Sequence, residues 1–345
     1  MKEIQEILDK ISQLARGEKA ILATVADVVG SGYRRPGARM LIDENGYSIG
    51  TVSGGCLEAD VLERAKRVLQ TGEPTVVTYD TTKDENSVFG LNMGCRGVVR
   101  ILLEPFENKS ILLDILRIAA ANRKRQFIGT IISSNGNSMI GGRIFFDDNG
   151  IFDFENLSEG IKNSKELKAD SEKFFTQNRL PEVREYSIGE NFFEIFFENI
   201  NPPLNLLLFG AGYDALPLIN FAREIGWRVT AIDHRAAFAN AERLFAADEI
   251  IVSSSEDLRE DLFNDENSVA VIMTHNYERD RNILRRLLHS KCVYIGALGP
   301  KKRAENLLAE IGETFSDEQL KRLYAPVGLD IGADTPEEIA LAVVA

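Results

Sequence analysis

The run Leu204–Phe209, followed at once by Gly210-Ala211-Gly212-Tyr213-Asp214-Ala215, constrains this chain more than any other segment. An apolar strand feeding a G-x-G-x-x-G/A turn requires a tight backbone reversal and a helix packed closely on the strand, which leaves N–H groups and a helix dipole aimed at an anion. Gly210 and Gly212 are therefore candidate nucleotide contacts. Asp233 closes the next apolar strand about twenty residues on, where a carboxylate can accept from ribose hydroxyls. Pro217 is tolerated, because it falls in the first helical turn, where N–H groups lack partners anyway. Further strands at Glu249–Val252, Val269–Thr274 and Cys292–Ile295 alternate with helices. That alternation predicts a Rossmann-like, doubly wound parallel sheet covered on both faces. It begins at Asn201-Pro202-Pro203, since consecutive prolines enforce extended backbone.

Upstream, Ile4, Ile7, Leu8, Ile11 and Leu14 recur at helical spacing, and Ala20–Val29 reads as a strand broken by Gly30–Gly37. A hairpin around Asn45-Gly46 follows, then the loop Ser53-Gly54-Gly55, a helix from about Cys56 to Gly72, and strands Thr75–Tyr79 and Val98–Leu103. Between those strands lies Gly94-Cys95-Arg96-Gly97. The order then repeats: helix Ile111–Arg123, strand Phe127–Ser133, helix Lys165–Gln177, strands Val183–Ser187 and Phe192–Phe197. Residues 142–150 echo the hairpin at 38–46. The expected fold is α/β throughout, an N-terminal duplicated α/β unit with mixed sheets plus a C-terminal Rossmann-like domain. The predicted divisions are 1–106, 107–200 and 201–345. Only the first copy carries the Gly-Gly-Cys and Gly-Cys-Arg-Gly loops, so the chemistry is expected there.

Composition narrows the partners. Forty Lys+Arg against 53 Asp+Glu give a net charge of −13, which repels nucleic acid and anionic membrane surfaces. No apolar run approaches the ~18 residues of a membrane span, and the acidic, periodic N-terminus is unlike a signal peptide, so a cytoplasmic location is expected. Cys56, Cys95 and Cys292 form an odd, sparse set, which suggests a reducing compartment without disulfides.

Cys56, after Gly54-Gly55 at a helix start, feels the positive end of the dipole, which favours thiolate as nucleophile or metal ligand, although Glu58 and Asp60 oppose this. Cys95 is also glycine-flanked, with Arg96 beside it. Together with Arg34, Arg35 and Arg39 the two thiols suggest an anionic ligand with a thiophilic centre; solvated surface is the alternative reading of the arginines. His275 stands just past a strand's carboxyl end, where open α/β sheets place ligands. Thr335, Pro336 and Glu338 form a capping-box helix start.

Several motifs in register resemble those of the XdhC/CoxI accessory proteins of molybdenum hydroxylases. They are Ser53-Gly-Gly-Cys56-Leu-Glu58, Gly94-Cys95-Arg96-Gly97, Gly210-Ala-Gly212, Asp233-His-Arg235, Met273-Thr-His275 with Asp280, Tyr294-Ile-Gly296 and Pro326-Val-Gly328-Leu-Asp330. Tyr213-Asp214 stands where that pattern usually has His-Val, and Cys95 is followed by Arg rather than Gly. The resemblance implies a maturation factor rather than an enzyme. Such a protein binds molybdenum cofactor in its molybdopterin form, holds it while a cysteine desulfurase supplies the sulfido ligand, and delivers it to the molybdenum subunit of xanthine dehydrogenase. Cys56 and Cys95 are implied as cofactor and metal contacts, at a cleft between the duplicated unit and the Rossmann domain, and a homodimer is the default assembly. Two rivals remain: an NAD(P)-dependent oxidoreductase using the Gly210 turn, for which Asp233 favours NAD, and a nucleotide-sensing regulatory module.

Overall fold

The computed structural model describes residues 1–14, 18–82, 96–106, 110–121, 123–135 and 139–345. These fall into two units, Glu3–Pro202 and Pro203–Ala345. The first begins α1 (Lys2–Gln13), β1 (Ala20–Gly30), β2 (Arg39–Asp43), β3 (Ser48–Gly50), α2 (Glu58–Thr71), β4 (Thr75–Asp80) and β5 (Gly97–Phe106). It continues α3 (Ile111–Ala121), β6 (Gln126–Ser134), β7 (Arg143–Asp147), β8 (Phe152–Glu155), α4 (Glu159–Lys162), α5 (Lys165–Thr176), β9 (Glu182–Ile188) and β10 (Asn191–Ile200).

The two five-stranded sheets have the same order, β3-β2-β1-β5-β4 and β8-β7-β6-β10-β9. Their ladders are antiparallel throughout, where the sequence pattern suggests mixed sheets. Neighbouring strands that reverse direction need no crossover helix, so the helices are left to cover faces. The correspondence reaches individual side chains. Asp43 and Asp147 each accept two backbone N–H groups in the β2–β3 and β7–β8 turns. Tyr79 donates to Asp60 at 2.7 Å, and Tyr186 donates to Asp170 at 2.9 Å. The first strand of each copy bulges, at Ala26 against β5 and at Ile132 against β10.

The helical periodicity of α1 buries Ile4, Ile7, Leu8 and Ile11, which share one core with Leu112, Leu113 and Leu116 of α3 and with Leu22, Ile128 and Phe145 of both sheets. At roughly 1.5–3 kcal/mol per buried aliphatic or aromatic side chain, this shared core joins the copies. The other faces are closed by Val61, Ala65 and Val68 of α2 and by Leu167, Phe174 and Phe175 of α5. Two ion pairs cross between the copies inside the unit: Arg39 with Glu198, and Arg143 with Glu104, all four buried. Each arginine also donates through Nη1 at 3.0 Å to a glycine carbonyl two residues earlier, Gly37 and Gly141.

The second unit contains β11 (Asn205–Phe209), α6 (Ala215–Glu224), β12 (Arg228–Asp233), β13 (Glu249–Val252), β14 (Ser268–Ile272), α7 (Tyr277–Leu288), β15 (Tyr294–Ala297), α8 (Lys301–Ile311), α9 (Asp317–Leu320), β16 (Leu323–Tyr324) and α10 (Pro336–Val344). The strand order β13-β12-β11-β14-β15-β16 is parallel at every pairing and reverses between β11 and β14. One core lies on each face, Leu206, Leu208 and Ile219 on one and Leu207, Phe209 and Leu284 on the other, so the sheet is doubly wound. Ligands in such sheets bind outside the carboxyl ends at the reversal. Among the described residues no helix is long and apolar enough to cross a membrane.

Candidate functional site

The Ser53–Cys56 loop is organised by Glu58, the first residue of α2. Its carboxylate accepts the N–H groups of Val52, Ser53, Gly54 and Gly55 and the hydroxyls of Thr51 and Ser53. Burial pushes the Glu58 carboxyl up, but the Ser53 and Thr51 hydroxyls and the Ser53 N–H outweigh it and hold it at about 2. Gly54 and Gly55 have positive φ, 81° and 116°, which this wrap demands. Their N–H groups thus face an internal anion, and the loop presents the Cys56 thiol, which is exposed.

The loop after β1 completes the rim. The Tyr33 ring lies over Gly54, where an added Cβ would fall 2.5 Å from it. Ser31 Oγ accepts the Arg96 N–H at 2.8 Å and donates to the Arg96 carbonyl at 3.0 Å. The structure therefore brings the Cys56 loop and exposed Arg96 to one stretch of chain, Ser31–Tyr33. Cys95 lies outside the described residues. Two of the arginines in the expected basic patch serve the fold instead: Arg34 pairs with Glu3, and Arg39 is buried against Glu198. Arg35 and Arg96 are exposed. The rim thus carries an exposed thiol, with Arg35 in the loop after β1 and Arg96 bonded to that loop through its backbone. Cys292, in contrast, is fully buried, and burial pushes its thiol up.

In the second unit the Gly210 turn forms at the sheet's reversal. Gly210 has φ 114°, and a Cβ there would collide with the Met273 carbonyl oxygen, so only glycine fits. Asp233 ends β12, but its carboxylate is engaged within the chain. It accepts from the Ala211 N–H at 2.9 Å, the Arg235 N–H at 2.9 Å, and Arg235 Nε and Nη2 at 2.9 and 2.7 Å. Burial pushes Asp233 up, yet the Arg235 side chain and the Ala211 N–H prevail and hold it at about 2. A carboxylate has about four lone-pair sites, and these bonds fill them, so no acceptor waits for a ribose hydroxyl.

Asp214 lies over Gly212, its Oδ1 2.5 Å from where a Cβ would be. Its Oδ2 is 2.7 Å from Nε2 of His275, an exposed residue held in left-handed backbone at φ 56°. A fixed carboxylate thus sits where a dinucleotide would place phosphate. Further along, Met273, His275, Asp280, Leu298, Gly299 and Arg303 line a hollow of about 330 Å³. Asp280 is buried there between Thr274 Oγ1 and Arg303 Nη2 at 2.5 and 2.6 Å. Asn276 caps α7, its side chain accepting the Arg279 N–H. Among the described residues no cluster of three His, Cys, Asp or Glu forms a metal site. From sequence, Glu58 and Asp214 register only as charges; their hydrogen-bonded roles depend on partners that the spacing does not reveal.

Residues 206–345 match the family model described as the XdhC Rossmann domain, and residues 13–80 match that of the XdhC and CoxI family. A Bacillus subtilis protein named as a probable xanthine dehydrogenase component is 31% identical over 95% of this chain and 92% of its own length. The Escherichia coli molybdenum cofactor insertion chaperone PaoD is 22% identical over 97% of this chain and 84% of its own. A crystal structure from Bacillus halodurans, described as a xanthine dehydrogenase, matches at TM-score 0.78 and 31% identity, covering 100% of this chain and 94% of that one. With such likeness running the length of both units, the chain belongs to the XdhC and CoxI family.

Proposed function

We propose that this protein is an accessory factor for a molybdenum hydroxylase of the xanthine dehydrogenase type. It binds molybdenum cofactor as cargo, keeps it while a cysteine desulfurase provides the sulfido ligand, and passes it to the molybdenum subunit of the target enzyme, working as a homodimer. The observation that carries the reading is the exposed Cys56 thiol on a loop braced by Glu58, with Arg35 and Arg96 exposed on the adjoining segments. Its kinship with PaoD, whose name is that of a cofactor insertion chaperone, supports the same reading.

The donor set suits the cargo. A molybdopterin brings a sulfur-ligated metal and a phosphate, and these call for a soft thiolate and for guanidinium groups respectively. Cys56, and Cys95 by the resemblance, would meet the metal end; Arg35 and Arg96 would meet the anionic end. The filled carboxylate of Asp233 and the Asp214 charge over Gly212 weigh against the dinucleotide-dependent alternative.

The test is molybdenum and pterin analysis of the protein purified from a cofactor-producing host grown with and without molybdate. Bound cofactor in the wild type, falling to background in Cys56→Ala and Cys95→Ala, is the expected result. Wild-type occupancy in both variants would remove the thiol role, and no cofactor in the wild type would remove the whole reading.

A further inference from the structure

Four side chains beside the glycine turn of the second unit pack against one another. The Arg243 guanidinium carbon lies 4.8 Å from the Tyr213 ring centre and 4.6 Å from that of Phe238, and the Arg235 guanidinium carbon lies 4.0 Å from the Phe238 ring centre. Rings lie against the guanidinium groups of both arginines, and their hydrogen-bonding capacity is at the edges. Arg235 directs its Nε and Nη2 edge at the Asp233 carboxylate. The same edge of Arg243 is buried, and among the described residues neither Nε nor Nη2 has a hydrogen-bond partner. The Arg243 backbone N–H is fixed by Asn240 Oδ1 at 3.1 Å, so the side chain leaves from an ordered turn.

A buried donor without an acceptor is costly, and the side-on edge of a guanidinium matches two oxygens of one oxyanion. Asp233 is engaged by Arg235, so the donor edge of Arg243 is left for an oxyanion. The usual phosphate position over Gly212 is taken by Asp214, so a phosphate bound by this unit has to seat elsewhere. Tyr213, packed on Arg243, is 77% exposed, a flat surface open to a second ring.

We infer that Arg243 anchors a site for a phosphate monoester of a flat heterocycle, with Tyr213 serving as its movable cover and stacking platform. This site is built from second-unit residues alone, and the inference does not depend on what the thiol-bearing rim binds. Nucleoside and pterin monophosphates share the required chemistry.

The experiment is calorimetric titration of the full chain with inorganic phosphate, AMP, neopterin monophosphate and adenosine. Wild type is expected to bind phosphate and to bind the better-fitting monoester more tightly, and to ignore adenosine; comparison of AMP with the pterin ester identifies the ring. Arg243→Lys, which cannot present two parallel N–H groups, is expected to weaken phosphate binding about tenfold or more while keeping the wild-type thermal midpoint. Tyr213→Ala, at an exposed position, should erase the advantage of monoester over phosphate and leave phosphate binding in place. Absence of phosphate and monoester binding in both wild type and Tyr213→Ala overturns the inference, as does adenosine binding as tightly as AMP or undiminished phosphate binding by a folded Arg243→Lys.

Discussion

Arg39 and Glu198 lie in different copies of the duplicated unit and meet as a buried ion pair, and Arg143 repeats the arrangement with Glu104 in the opposite sense. Burial holds the Glu198 carboxyl above its ordinary value, and Arg39 offsets this only in part. Arg39→Ala therefore strands a desolvated carboxylate and is expected to cost about 3–5 kcal/mol in urea unfolding. Replacing both partners, Arg39→Met with Glu198→Leu, should recover most of that loss. Equal losses in the single and double variants would show that the pair is not the source.

Glu58 provides a pH signature. Its folded value, about 2, lies below its ordinary 4.5. The wrap it organises therefore stabilises the folded state fully above pH 4.5, and the contribution fades as pH falls from there towards 2. Glu58→Gln is expected to cost about 1 kcal/mol at neutral pH, a discounted figure because the carboxylate is partly open to water. The measurement is the urea midpoint of both proteins at pH 7 and pH 3: the gap at pH 7 should narrow on acidification. A constant gap would contradict the bonded arrangement.

The cysteines should separate by reactivity. Cys56 is exposed and Cys292 fully buried with its thiol pushed up, so brief iodoacetamide treatment followed by peptide mass mapping should label Cys56 and leave Cys292 intact until denaturant is added. Labelling of Cys292 in the native protein at a similar rate would mean that the second unit opens readily at β15.

Asp214 should oppose dinucleotides. A carboxylate about 4 Å from a phosphate costs about 1 kcal/mol even in water-like surroundings. Asp214→Ala is thus expected to raise NAD affinity about fivefold or more over wild type, read by calorimetry. His275→Ala, which frees the Asp214 carboxylate from its 2.7 Å partner, should give a smaller change. Unchanged NAD affinity in Asp214→Ala would show that the carboxylate over Gly212 does not guard the turn.

Local chemistry made much of this fold legible. The apolar strands before Gly210 and Asp233, the Asn45-Gly46 hairpin and the Thr335-Pro336-Glu338 capping box each carry their signal within a few residues, and each forms where the pattern places it. The side-chain partnerships were not legible, because hydrogen-bond partners are fixed by tertiary placement. Asp214 and His275 are 61 residues apart, and Arg39 and Glu198 are 159 apart. Arg39 reads from its neighbours as one of three loop cations; only the sheet pairing turns it inward. Glu58 reads as a charge opposing Cys56, whereas its position after two positive-φ glycines lets the chain curl back around it.

The exchanged ion pairs also bear on why a second copy lacking both cysteine loops persists. Each half supplies the counter-charge that the other half's interior requires, so neither can be trimmed without leaving a bare charge in its sibling's core. A second copy without the cysteine loops thereby keeps a structural part of its own, because its Glu198 and Arg143 balance charges that the first copy buries.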